Sequence, residues 1–241
     1  MIPIFIISSD RLKFLKESIQ SYYDCIKTPF EIVIIDFGTS YEPTREFLRH
    51  LEYEGKTVYW NDKISYKGSL NLIRPIVQDY FKTHPASNYV VTDPDIALDN
   101  VEGDVLEVYA YLLKSFHKIT VAGPMLRIDD IPDHYPLKEK LLFRSLETTY
   151  LLRKRLTIQY KDKDINFKLI KIDTTFGMRR AGEDFWRCRW GARVLPPYSA
   201  RHLDWYLDFK NLTEDQKYYM QHASRRISTW GKGRIPRVKE A

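Results

Sequence analysis

The 241-residue chain predicts an α/β fold with a mixed, mostly parallel central sheet and helices on both faces. Three observations carry this expectation. Short apolar runs alternate with segments of helical periodicity through the first half. Runs such as Ile2–Ser8, 30–35 and Tyr89–Thr92 are continuously apolar, as strands covered on both faces must be. Each of these runs ends in polar residues: Ser8-Ser9-Asp10-Arg11, Asp36 and Asp93-Pro94-Asp95. In parallel sheets the ligand binds beyond the carboxyl ends of the strands, so the three groups are expected on one rim.

The elements follow in order. Ile2–Ser8 reads as the first core strand, too short and too poor in basic flanks for a signal peptide. Asp10 is placed to cap a helix over 10–26, with Leu12, Leu15, Ile19 and Tyr22/Tyr23 at helical spacing. A strand over 30–35 precedes a helix that starts near Pro43 and buries Phe47, Leu48 and Leu51. A short strand over 57–60, a helix over 70–81 and the strand Tyr89–Thr92 come next, then a helix over 105–116 and a strand over 119–122. The second half is less regular. It predicts a helix over 137–153, strands over 156–160 and 167–172 around a hairpin at 161–164, a sheet extension over 174–178, and a helix over 213–222 capped by Thr213. No linker is apparent, so the chain reads as a single unit. Residues 1–125 form one half, 126–224 a second, and 225–241 a basic tail.

Composition narrows the function classes. An apolar fraction of 44% with 29% charged residues is that of a globular chain. No apolar run approaches the roughly 18 residues needed to cross a bilayer. Cys25 and Cys188 are the only cysteines; two thiols give neither a disulfide framework nor a zinc site, and a reducing cytoplasm is the expected compartment. The net charge of +6 hides an asymmetry. Residues 1–150 hold 17 Lys+Arg against 22 Asp+Glu, and residues 151–241 hold 21 against 10. The basic last third points to an anionic partner: phosphate groups, acidic lipid or nucleic acid.

Asp93-Pro94-Asp95 is the most chemical motif. Residues two apart on a strand project to the same side, so both carboxylates can converge on a hard divalent cation, Mn²⁺ or Mg²⁺. Such a cation neutralises charge developing on a diphosphate leaving group. Asp36, at a strand end, can accept hydrogen bonds from a nucleobase imide or a ribose hydroxyl. Ser8, Ser9 and Arg11 stand on the neighbouring loop. Lys67-Gly68 offers a cation and a close backbone approach to phosphates. A phosphatase of the haloacid-dehalogenase type also uses an Asp-x-Asp pair after a strand, with the first Asp as nucleophile, but at its first strand rather than the fourth. A basic nucleic-acid-binding module fits the charge and leaves the acidic rim unexplained.

The segment Pro3-Ile4-Phe5-Ile6-Ile7-Ser8-Ser9-Asp10-Arg11 resembles the opening strand and loop of family 2-like glycosyltransferases of GT-A (Rossmann-like) fold. Ile32-Val33-Ile34-Ile35-Asp36 resembles their second strand, Asn61…Lys67-Gly68…Asn71 their loop before the third helix, and Thr92-Asp93-Pro94-Asp95 their metal motif. Residues 128–136, 172–176 and 200–206 are similar to a bacterial and viral subgroup. The resemblance implies a metal-dependent enzyme. Such an enzyme moves a sugar from a nucleotide diphosphate donor, UDP-linked, to a hydroxyl of a glycan or lipid-linked acceptor, with inversion. It implies Asp95 as first metal ligand, Asp93 on the metal or the ribose, and His202 as third ligand. Ser8, Ser9, Arg11, Asp36, Lys67 and Asp93 are expected to hold the nucleotide. The acceptor hydroxyl needs a carboxylate base; the resemblance points first to Asp204, with Asp130 and Asp173 as rivals. Polysaccharide biosynthesis is the expected setting; the cysteine usage places it in the cytoplasm and the basic C-terminal region at the inner face of a membrane, with no nucleic-acid partner expected.

Overall fold

The computed structural model describes residues 1–61, 66–145 and 153–222, without the side chains of 66–70 and 144. The first half builds β1 (Ile2–Ser8), α1 (Leu12–Cys25), β2 (Phe30–Asp36), α2 (Glu42–Tyr53), β3 (Thr57–Tyr59), α3 (Tyr66–Thr83), β4 (Tyr89–Thr92), the two-residue β5 (Ile96–Ala97), α4 (Val105–Ser115) and β6 (Val121–Pro124). The second half adds α5 (Lys138–Ser145), β7 (Arg155–Tyr160), β8 (Lys163–Ile172), β9 (Gly177–Arg179), β10 (Arg189–Val194), β11 (Arg201–His202), a 3₁₀ turn (Leu203–Tyr206) and α6 (Glu214–His222).

One nine-stranded sheet runs in the order β3-β2-β1-β4-β9-β6-β10-β8-β7. The β3-β2-β1-β4 part is parallel. β9 enters antiparallel between β4 and β6, β10 runs parallel to β6, and the β7–β8 hairpin closes the edge antiparallel. Alternate residues of the inner strands enter two cores. Ile4, Ile6, Ile32, Ile34 and Val90 pack with Leu15, Ile19 and Tyr22 of α1, Leu48 and Leu51 of α2, and the apolar face of α4. Phe5, Val33, Ile35, Tyr89 and Val91 pack with Ile73, Val77 and Tyr80 of α3. Helices therefore cover both faces, as the continuously apolar strands require. Each such side chain, fully buried, contributes about 1.5–3 kcal/mol.

Several local expectations are corrected. Asp10 does not cap α1: its backbone is left-handed (φ 49°), and its carboxylate turns to the next loop. There Oδ1 accepts the Ser40 and Tyr41 N–H groups at 2.6 and 2.7 Å, satisfying the orphan donors ahead of α2. α1 instead receives Asp215 of α6, whose Oδ2 accepts the Lys13 N–H at 2.9 Å. The hairpin turn is shorter than expected, because Lys163 and Asp164 already belong to β8. β10 was not legible as a strand, and the small β5–β11 sheet was not expected either. α5 ends at Ser145; 146–152, expected to continue it, and the basic tail 225–241 lie outside the described residues. Among the described residues, no helix is long and apolar enough to cross a membrane.

Candidate functional site

The chain leaves β4 at Thr92 and makes a turn through Asp93, Pro94 and Asp95 before β5. α1 holds this turn from below. Ser18 Oγ donates to the Pro94 carbonyl at 3.0 Å, Tyr22 Oη donates to the Ile96 carbonyl at 2.7 Å, and the Leu98 N–H donates to Ser21 Oγ at 3.0 Å. β11 holds it from above. His202 pairs with Ile96 in an antiparallel ladder, and the Leu203 N–H donates to the Asp95 carbonyl at 2.8 Å. The 3₁₀ turn that follows brings in Asp204.

Asp95, His202 and Asp204 thereby present ligand atoms within 4.8 Å of one another. His202 Nδ1 lies 3.5 Å from Asp95 Oδ2, and its ring stacks on Trp205 with centroids 4.9 Å apart. Asp95 is 2% exposed, yet its Oδ1 makes no hydrogen bond among the described residues, and neither does His202 Nδ1. Two orphaned polar atoms beside one another, in a carboxylate–imidazole–carboxylate set, fit a Mn²⁺- or Mg²⁺-type cation.

The Arg11 guanidinium is wedged between the carboxylates. Nη1 donates to Asp95 Oδ2 at 2.9 Å and Nη2 donates to Asp204 Oδ1. Phe14 and Tyr219 close around its plane, their ring centroids 4.7 and 5.0 Å away. The charges set the protonation states. Burial opposes the Arg11 charge, but Asp204 and Asp95 outweigh it and hold the group firmly charged. Burial alone would raise the Asp95 carboxyl; His202 and Arg11 reverse the sign and hold it below its ordinary range. Asp204 is pushed up to about 6, by burial against the pull of Arg11 and with the Asp95 charge adding.

Asp93 lies outside this trio. Its N–H donates to the Thr174 carbonyl at 2.7 Å, and its Oδ2 accepts from Thr174 Oγ1 at 2.6 Å. Burial, with the Asp95 and Asp173 charges adding, raises its carboxyl to about 8. Asp173 is beside it on the connection from β8 to β9. Its side chain is 42% exposed and faces Arg193 Nη2 at 3.8 Å, while its Oδ1 makes no hydrogen bond among the described residues. This connection passes close to β6 at Gly123, where a Cβ would stand 2.8 Å from the Phe176 carbonyl oxygen.

Asp36 is paired in register with Ser8 at the ends of β2 and β1, on the expected rim. The residue is 1% exposed, and its carboxylate is taken up by its own loop. The Gly38 and Thr39 N–H groups donate to it at 3.2–3.3 Å, and Thr39 Oγ1 donates as well. Burial nonetheless raises this carboxyl above its ordinary value. Asp36 therefore shapes the loop, whose Gly38 takes φ 70°. Ser8 is buried, its Oγ without a hydrogen bond among the described residues, and Ser9 is half-buried on the same rim. Lys67 falls in the first turn of α3, where side chains lie outside the described residues. Asp130 is tied to Arg127 Nη2 and Tyr206 Oη and is not one of the trio. The sequence reading missed Arg193 because β10 was missed, and it did not foresee Arg11 as the bridge between two carboxylates.

No family model matches the chain, and none of the curated proteins does. Among solved structures it is similar to the mannosyltransferase PcManGT from Pyrobaculum calidifontis in complex with GDP-Man and Mn²⁺, at 14% identity and TM-score 0.39 over 54% of this chain and 36% of that one. It is also similar to S. aureus TarS 1-349 in complex with UDP-GlcNAc, at 14% identity and TM-score 0.38, over 56% and 37%. A third likeness is to glucosyl-3-phosphoglycerate synthase from Mycobacterium tuberculosis in complex with Mn²⁺, UDP and glucosyl-3-phosphoglycerate, at 11% identity and TM-score 0.36, over 62% and 52%. The chain thus spans 36–52% of the length of these three. Likeness of this degree carries neither a family nor an activity over to it.

Proposed function

We propose that the protein is a metal-dependent glycosyltransferase that uses a nucleotide diphosphate sugar, UDP-linked, and an acceptor hydroxyl on a glycan or lipid-linked glycan. The observation that carries the proposal is the Asp95–His202–Asp204 trio with its orphaned, buried Asp95 Oδ1, set just past the end of β4. A divalent cation bound there supplies charge neutralisation for a departing diphosphate. The chain's own residues supply the rest. The loop 36–40 and the Ser8–Ser9 rim receive the nucleoside, shaped by Asp36 rather than contacted through its carboxylate. Asp93, whose carboxyl is raised by burial and by the neighbouring Asp95 and Asp173 charges, stands next to the trio to meet a ribose or sugar hydroxyl.

Of the three base candidates we favour Asp173. Asp204 is committed to the trio, and Asp130 to Arg127 and Tyr206. The Asp173 side chain is 42% exposed and pairs with Arg193 only loosely, at 3.8 Å, so it can take the acceptor proton as the hydroxyl attacks the anomeric carbon from the face opposite the leaving group. In this reading residues 1–125 handle the donor and 126–224 the acceptor. The basic tail 225–241 rests on an anionic membrane surface at the cytoplasmic side, during polysaccharide synthesis, and nucleic acid is not a partner.

The test is release of the nucleoside diphosphate from a panel of UDP- and GDP-sugars with Mn²⁺. The wild type is expected to hydrolyse one donor slowly without acceptor, and Asp95→Ala to lose that reaction while still melting cooperatively, at a lower temperature because buried Arg11 loses one partner. Full activity of Asp95→Ala in EDTA would remove the proposal.

A further inference from the structure

We infer that Arg11 is a built-in counter-cation of the Asp95–Asp204 pair that an incoming metal must displace, so that metal and nucleotide diphosphate load together and only weakly apart. The inference rests on the reading of this site as a metal and diphosphate centre.

The same two carboxylates are claimed twice. Asp95 Oδ2 receives Arg11 Nη1 at 2.9 Å and is also the oxygen 3.5 Å from His202 Nδ1, and Asp204 Oδ1 receives Arg11 Nη2. A cation held by the trio, even one seated on the unbonded Asp95 Oδ1, would stand against a guanidinium that is itself only 10% exposed. Two like charges in a buried site repel strongly, because little water screens them. Without metal, by contrast, the carboxylates need Arg11, since a buried acid without a partner is costly. Arg11 and the metal are therefore competitors for one pair of acids.

A diphosphate resolves the competition. Its negative charge offsets the excess created when metal joins Arg11, and its oxygens match the planar fork of a guanidinium. The swing is confined to the side chain, because the Arg11 backbone is fixed by the Leu15 N–H, which donates to the Arg11 carbonyl at 3.0 Å. Binding linkage then makes the effect reciprocal: nucleotide raises metal affinity and metal raises nucleotide affinity by the same factor.

The experiment is titration of the full chain with Mn²⁺, free metal being read by electron paramagnetic resonance, with and without UDP or GDP. For the wild type, Mn²⁺ alone should bind weakly, and the nucleoside diphosphate should strengthen it about tenfold or more. Arg11→Gln keeps hydrogen-bond donors and removes the charge. It should bind Mn²⁺ alone about tenfold more tightly than wild type, and the enhancement by nucleotide should shrink by a similar factor. Unchanged or weaker Mn²⁺ binding by Arg11→Gln overturns the inference. If that variant does not fold, the wild type still decides: equal Mn²⁺ affinity with and without nucleotide also overturns it. The two readings fail differently. No Mn²⁺ binding under any condition defeats the metal site itself, whereas metal binding indifferent to nucleotide and to Arg11 defeats only the role of Arg11.

Discussion

His202 Nδ1 stands 3.5 Å from Asp95 Oδ2 because a two-residue ladder pairs His202 with Ile96, the residue after Asp95. The ladder fixes the imidazole from the backbone, and stacking on Trp205 fixes its plane. His202→Ala should therefore leave the ladder in place and cost about 0.5–1.5 kcal/mol of stability through the lost ring contact. It should weaken Mn²⁺ binding in the presence of UDP about tenfold to a hundredfold. Calorimetric titration checks this. Unchanged Mn²⁺ affinity would remove His202 from the ligand set.

Asp36 gives a pH dependence whose sign follows from burial. Its native carboxyl is raised above the ordinary value, burial outweighing the hydrogen bonds from Thr39 and Gly38. The native state then holds a proton that the unfolded chain has already released, so stability falls as pH rises from the ordinary carboxylate range through the raised native value. Asp36→Asn mimics the protonated group and lacks this loss. Urea midpoints of the two proteins should be closest near pH 4 and should separate as pH rises, with the variant the more stable. A difference that stays constant with pH would contradict the burial argument.

The close passage at Gly123 gives a stability prediction. A Cβ there would meet a backbone oxygen, Phe176 O, at 2.8 Å, so no side-chain rotation relieves it. Gly123→Ala should cost about 1–3 kcal/mol through forced backbone shifts. It should also loosen the connection that carries Asp173 and Thr174, lowering activity beyond what the change in urea midpoint explains. A neutral variant would mean that the 173–176 connection yields freely.

These sites show which parts of the molecule were legible in the sequence. β1, β2 and β4 were, because strands buried on both faces are uninterrupted apolar runs, and the residues that end them mark the rim. Asp95 was found because it follows such a run. His202 and Asp204 came only through a family resemblance: their approach to Asp95 depends on β5 and β11, two residues each, too short to leave a periodic signal. β10 reads Arg-Trp-Gly-Ala-Arg-Val, and its charged and small residues hid a strand whose Arg193 reaches Thr175 and Asp173. Asp10 has the residue type of a helix cap, but its left-handed backbone sends the carboxylate to a different helix. Side-chain direction of that kind is decided by tertiary packing and not by spacing.

The central claim is that Asp95 organises a cation on which nucleotide binding depends. The most direct measurement is the melting temperature of wild type and Asp95→Asn with UDP or GDP, in Mn²⁺ and in EDTA, since a ligand that binds only the native state must raise it. A nucleotide that raises the wild-type transition in Mn²⁺, fails to do so in EDTA, and leaves Asp95→Asn unmoved in both is the predicted result. Equal shifts in Mn²⁺ and EDTA, or an Asp95→Asn protein that responds like wild type, would contradict it.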